Sequence, residues 1–202
     1  VGRYQADSLV SKAVPVTVEE LSQHFDFAFI ALHGRPGEDG QLQKLFEQNG
    51  IPYNGSGWSS ASITIDKFQT GRILREHGIK TAKQVLLEKN EAFNGQENGL
   101  NFPIIAKPVD DGCSSAVKLI EDEDKLANYL KAIFRNGEEI PNELRKSLGL
   151  LEKEEFPSKN QVLIEERIDA GGAERFLEIT GGVMTEMKAD GSRKFTVFHP
   201  SE

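Results

Sequence analysis

Residues 104–115 read Ile104-Ile105-Ala106-Lys107-Pro108-Val109-Asp110-Asp111-Gly112-Cys113-Ser114-Ser115. The apolar opening is a strand that ends on a lysine. A lysine there stands against a low-dielectric wall where its charge requires a partner, and a nucleotide phosphate is one suitable partner. The Gly-Cys-Ser-Ser turn that follows offers backbone N–H groups and hydroxyls, the donors that close over phosphates. It is not a Walker A loop, which needs glycine followed by Lys and Ser/Thr at the opening of a helix. The same residues also suit a lysine snorkelling from a strand end into an ordinary serine-rich turn.

Working outward, residues 81–87, 102–108, 116–120, 161–168 and 174–181 are predicted strands, several of them rich in Val, Ile and Phe. Residues 123–134 and 142–151 between them carry helical spacing. Strands that follow one another with few crossover helices predict an α+β unit, predominantly antiparallel. Upstream the grammar differs. Residues 25–32, FDFAFIAL, form a nearly continuous apolar run, as expected of a strand buried on both faces of a parallel sheet. A loop at 33–40, a helix at 41–49 stopped by Gly50, and an extended Ile51-Pro52-Tyr53 complete an α/β unit whose loop lies at the strand's C-terminal end, where open sheets bind ligands. Residues 59–78 read as helical, with Ile63, Phe68, Ile73 and Leu74 as apolar positions, and the domain boundary is expected near residues 66–69.

Composition narrows the function classes. The 202 residues carry a net charge of −8, which disfavours a nucleic-acid surface because such surfaces cluster basic residues against phosphates. No apolar run approaches the roughly 18 residues of a spanning helix, so no membrane partner is expected. The single cysteine allows no internal disulfide, and the N-terminus lacks signal-peptide zones, which points to the cytoplasm. The chain opens on Val1 and closes on His199-Pro200-Ser201-Glu202, and both ends read as mid-chain sequence.

Two further stretches suggest chemistry. His33-Gly34-Arg35-Pro36-Gly37-Glu38-Asp39-Gly40 combines three glycines with a histidine and two carboxylates. It suits close approach to a ligand, or equally a tight acidic turn in which Asp39 caps the next helix. Val162-Leu163-Ile164-Glu165-Glu166-Arg167-Ile168, followed by Gly171-Gly172-Ala173-Glu174, places carboxylates at a strand end beside a glycine turn. They could accept from an adenine amino group or ribose hydroxyls, or form a polar strand edge with a hairpin turn.

Taken in order, the stretch 33–40, Gly50-Ile51-Pro52-Tyr53-Asn54-Gly55-Ser56-Gly57, Asp66-Lys67, Gly78-Ile79, Lys107-Pro108, the serine loop and Val162-Leu163-Ile164-Glu165 resemble the successive signatures of the D-alanine:D-alanine ligases. The resemblance covers nearly the whole chain, and residues 33–67 are its most specific part. It implies the end of an α/β N-terminal domain at residues 1–66, followed at 67–202 by an incomplete ATP-grasp domain of α+β lobes: the central lobe and the start of the C-terminal one.

The resemblance also implies roles. Lys67 and Lys107 match the lysines that hold ATP phosphates. Glu165 matches the carboxylate at the adenine, Glu166 and Ile168 the hinge beside it, and Glu174 the ribose carboxylate. His33 matches the histidine at the first amino-acid substrate, and Cys113 and Ser114 fall in the serine loop, with Ser114 placed at the catalytic centre. Cys113 stands where the family has its first serine on the substrate side, so a second substrate other than D-alanine is expected. Residues 135–159 read as an insertion, a surface helix and loop.

The implied activity is an ATP-dependent carboxylate–amine ligation through an acyl phosphate, serving peptidoglycan synthesis in the cell wall. The partners are ATP and small amino acids, with a homodimer left open. Magnesium is implied too, with ligands beyond Glu202 and none within the chain, so the isolated chain is expected to be inactive. The alternative is a nucleotide-binding module that kept the ATP-grasp fold and lost turnover.

Overall fold

The computed structural model describes residues 13–112, 114–152 and 154–201. Cys113, singled out above, lies outside them. The chain divides into two compact units, Val1–Arg167 and Ile168–Glu202. The junction expected at residues 66–69 falls inside the first unit.

The first unit is organised on a four-stranded sheet of β1 (Gln84–Glu88), β2 (Ile104–Pro108), β3 (Lys118–Ile120) and β4 (Gln161–Glu166), in the order β1-β4-β2-β3. All three pairings are antiparallel, as the α+β reading requires. The period of two sorts the side chains of β2. Ile104, Ala106 and Pro108 are buried, whereas Ile105 and Lys107 on the opposite face are half-buried. Ala106 pairs with Ile164 of β4, and both enter the hydrophobic core.

Seven α-helices form among the described residues. They are α1 (Leu21–His24), α2 (Gln41–Gln48), α3 (Trp58–Ile65), α4 (Lys67–Glu76), α5 (Gly95–Asn98), α6 (Glu123–Ile133) and α7 (Asn142–Ser147). Asp122 starts α6 by accepting from the Lys125 N–H at 2.8 Å, and Leu126, Tyr129, Ala132 and Ile133 then follow at helical spacing as its buried stripe.

Tyr129 is fully buried, packs edge-on against Phe156 at 5.4 Å, and donates its hydroxyl to the Ala116 carbonyl at 2.9 Å. Burial pushes its phenol well above the usual range. Ala116 has φ +51°, a left-handed conformation that costs a non-glycine residue energy, so this bond secures the end of the serine loop. Tyr129→Phe is expected to destabilise the chain by about 1–3 kcal/mol, because it leaves the buried Ala116 carbonyl without its donor. Urea unfolding measures this, and an unchanged midpoint would show that the bond contributes nothing.

Several sequence expectations are corrected. The run at 25–32 is not a strand buried on both faces. Its one pairing among the described residues is a parallel bridge from Ala28 to Tyr53, and Phe25, Phe27, Phe29 and Leu32 are half or more exposed. Apolar composition shows what a segment would bury, but a covering element must be present to bury it. The helix expected over 59–78 is two, α3 and α4, because Asp66 breaks it and caps the second by accepting from the Gln69 N–H at 2.8 Å.

Residues 135–159 are more than a surface excursion. Leu148 and Phe156 enter the core, and the Arg135 guanidinium donates to the Phe156 and Pro157 carbonyls. In the second unit, residues 174–181 contribute one bridge, Thr180 to Ser201, and no strand. The strands there are β5 (Val183–Met187) and β6 (Arg193–Val197), an antiparallel hairpin turned at Asp190-Gly191. Gly191 adopts φ +78°, and this Asp-Gly pair is a hairpin signal that the sequence reading passed over.

Candidate functional site

Lys107 and Glu165 lie on neighbouring strands and on the sheet face away from the core. Ile105 is the partner of Glu165, which sets Lys107 diagonally across from it, and the two side chains form an ion pair. Glu165 is only 9% exposed, so its charge needs this pairing. Its other oxygen accepts from Gln84 Nε2 at 2.6 Å, because Gln84 is its partner in β1. Gln84 is held in turn by Arg75 of α4 at 3.0 Å. A Cβ at Gly71 would collide with the Gln84 side chain, so the glycine lets α4 approach this face closely.

α4 also brings Lys67 to the site. Its backbone N–H donates to the Val109 carbonyl at 2.9 Å, and its ammonium donates to the Asp111 carbonyl. The Lys67 pKa is held below the ordinary lysine value by burial first and then by the positive charge of Lys107. Asp111, Asp110 and Glu165 oppose that shift and do not cancel it. Two cations thus share one half-buried place, an arrangement that an anion between them would relieve.

The histidine loop closes on itself. Glu38 accepts from the Gly34 N–H at 2.5 Å, while the Asp39 carboxylate, buried, accepts from the Gln41 N–H at 3.1 Å at the start of α2. Asp39 thus satisfies the first N–H of α2 from one position ahead of the N-cap, which is Gly40. A cavity of about 630 Å³ opens between this loop and the serine loop, with His33, Gly34, Asp111, Ser114, Glu154 and Phe156 in its wall. The structure thus brings His33 and Ser114 to one cavity, and Lys67, Lys107 and Glu165 to one cluster.

Glu166 ends β4, with its N–H donating to the Lys83 carbonyl at 3.0 Å. Ile168 and Glu174 belong to the second unit, and both are exposed. Sequence reasoning missed Gln84, Arg35 and Lys159, which hold site carboxylates through contacts between residues 48 to 81 positions apart. No local pattern signals such contacts. It also missed Glu154 and Phe156 in the cavity wall. Among the described residues no helix is long and apolar enough to cross a membrane, and no group of three or more His, Cys, Asp or Glu side chains could hold a metal ion.

Comparison with known proteins agrees with the motif order. Residues 4–56 match the family model described as D-ala D-ala ligase N-terminus. A D-alanine–D-alanine ligase of Bacillus anthracis (strain A0248) is 40% identical over 134 residues, which is 63% of this chain and 44% of that protein. One from Chromohalobacter salexigens is 41% identical over 101 residues, 50% of this chain and 32% of that protein. The chain therefore spans less than half the length of these relatives.

Among solved structures, the Bacillus anthracis ligase aligns over 98% of this chain and 59% of its own, at 27% identity and a TM-score of 0.55. The same ligase complexed with ATP aligns over 73% of this chain and 43% of its own, at 33% identity and a TM-score of 0.53. The Coxiella burnetii ligase, at 24% identity and a TM-score of 0.62 over 87% of this chain and 41% of its own, shares the fold. Motif order, sequence similarity and fold together make this chain similar to the D-alanine–D-alanine ligases, with residues 4–56 matching their N-terminal region.

Proposed function

We propose that this chain belongs to an ATP-dependent carboxylate–amine ligase of the D-alanine:D-alanine type. The observation that carries this is the half-buried pair Lys67 and Lys107, whose mutual repulsion an anionic phosphate would relieve, beside the carboxylate of Glu165. In this reading a carboxylate oxygen attacks the γ-phosphorus of ATP and ADP leaves. An amine nitrogen then attacks the acyl carbon, phosphate leaves and the amine gives up a proton. Lys67 and Lys107 neutralise charge on the transferring phosphate, which is where most of the advantage in phosphoryl transfer arises.

Glu165 and Glu166 serve the adenine end, with Ile168 beside the base and Glu174 at the ribose. His33 and Ser114 serve the amino acids, which the shared cavity supports. Residues 1–66 are the close of the N-terminal domain and 67–202 the ATP-grasp part. Magnesium would add positive charge at the phosphates, and among the described residues no group of three or more His, Cys, Asp or Glu side chains could hold it. The dipeptide product serves peptidoglycan synthesis in the cytoplasm.

The test is ADP release by the whole protein with ATP, magnesium and a panel of D-amino acids, D-alanine among them. Amino-acid-dependent release is the expected result. ATP binding with no release on any amino acid would sink the ligase reading and favour a module that only binds nucleotide.

A further inference from the structure

Three cations from three distant segments converge on two adjacent aspartates at the base of the serine loop, two on their carboxylates and one on a backbone carbonyl. Arg35, in the histidine loop, donates Nη2 to Asp110 Oδ2 at 2.6 Å. Lys159, just ahead of β4, reaches Asp110 Oδ1 at 3.0 Å and Asp111 Oδ1 at 2.7 Å. Lys67, at the start of α4, donates to the Asp111 carbonyl. The side chains of Lys159, Asp110 and Asp111 are only 21%, 26% and 21% exposed, so water and salt screen these pairs less than surface ones. Asp111 and Gly112 lead into the serine loop and line the same cavity as His33 and Gly34. Glu38 packs on Gly112 closely enough that a Cβ there would lie 3.3 Å from its carboxylate.

We propose that Asp110 and Asp111 are positioning residues that couple the histidine loop to the phosphate-binding lysine, so that nucleotide and amino acid each raise the other's affinity. This rests on the ligase reading above. The physical reason is that Lys67 is shared. A phosphate that draws on its ammonium pulls on the group that holds the Asp111 carbonyl, and Asp111 is tied through Lys159 and Asp110 to Arg35 and the loop carrying His33. A ligand on either side thus acts on one connected set of charges, and coupling between two binding sites is reciprocal.

The state of the pair supports this. Burial alone pushes the Asp110 carboxyl up, but its hydrogen bond with Lys159 and the charges of Lys159 and Arg35 outweigh that and hold it below the usual carboxylate value. Burial pulls the Lys159 ammonium down, and Asp111 and Asp110 outweigh it and hold it above the usual lysine value.

The experiment measures the affinity of the whole protein for a non-hydrolysable ATP analogue, with and without saturating D-alanine, by calorimetry. The unsubstituted protein is compared with Arg35→Gln, Asp110→Asn, the pair of them together, and Arg35→Lys. The ratio of the two affinities is expected to exceed one in the unsubstituted protein and to fall about tenfold toward one in Asp110→Asn, on the scale of one lost charge-assisted bond. Arg35→Gln is the variant that folds most securely, because the arginine side chain is half exposed and Lys159 still pairs with both carboxylates. It should lose most of the ratio while its affinity for the analogue alone stays within about threefold. The double variant should be no worse than Asp110→Asn, as for residues acting through one contact. Arg35→Lys should recover part of the ratio.

A merely structural role would lower both affinities together and leave the ratio intact, which overturns the proposal. So does a ratio of one in the unsubstituted protein. Absence of analogue binding by the unsubstituted protein overturns the ligase reading and this inference together. Binding and turnover with unchanged ratios in the variants overturn the inference alone.

Discussion

Lys107→Met lowers ATP affinity by about tenfold to a hundredfold, the equivalent of the 1.5–3 kcal/mol that a hydrogen bond from a charged group contributes. Titration of a fluorescent ATP analogue into both forms reads this, and equal affinities would remove Lys107 from the site. The same change acts on stability in two opposed ways. Glu165, buried and still accepting from Gln84, loses its counter-charge. Breaking a fully buried pair costs about 3–5 kcal/mol, but here the lysine side chain is about a fifth exposed, so a cost of about 1–3 kcal/mol is expected.

Lys67 gains from the same substitution, because the charge of Lys107 no longer opposes its own. That gain has a definite pH signature. A lysine whose folded pKa lies below its unfolded value destabilises the fold at low pH, and this is relieved as pH rises through the folded pKa toward 10.5. The rise in stability across that alkaline window should therefore be smaller in Lys107→Met than in the unsubstituted chain. Urea unfolding at stepped alkaline pH measures it, and a rise of equal size in both would show that the two ammonium groups do not interact.

Gly40→Ala destabilises the chain by about 3 kcal/mol, through two effects that add. The backbone at Gly40 has φ +89°, which costs a residue with a Cβ about 1–3 kcal/mol. The added Cβ would also lie 2.5 Å from the Trp58 carbonyl oxygen and 3.3 Å from the Ser62 N–H nitrogen. Both contacts are backbone atoms of α3, which cannot rotate aside as a side chain would. Gly50 is the control, because its φ is +67° and nothing lies within 4 Å of the position its Cβ would take. Gly50→Ala should lose only the conformational part, about 1 kcal/mol. Denaturant unfolding of the two variants separates the terms, and equal losses would mean that α3 moves away without cost. Gly40 closes the histidine loop, so the larger loss falls on the segment that carries His33.

The sequence by itself determined what neighbouring residues decide. The helix at Gln41–Gln48 and its stop at Gly50, the alternation that places Lys107 on the face opposite Ala106, and the antiparallel character of the region after residue 80 all follow from spacing and turn chemistry over a few positions. The motif order also singled out Lys67, Lys107 and Glu165, which the structure brings to one cluster. It failed where partners are distant. The run at 25–32 carries enough apolar surface for a buried strand, yet burial depends on a neighbour that the segment does not encode. The Asp190-Gly191 turn was encoded locally and missed, so that failure lies in the reading and not in the physics.

Only the tertiary structure could decide that Gln84 faces Glu165, because that meeting depends on the register of β1 against β4, where a slip of one residue would turn Gln84 to the other face. The same holds for Arg35 and Lys159, which reach Asp110 from 75 residues before it and 49 after. Their charges and lengths are visible in the sequence. Which carboxylate each one neutralises is set by the packing of segments whose contacts no local periodicity records.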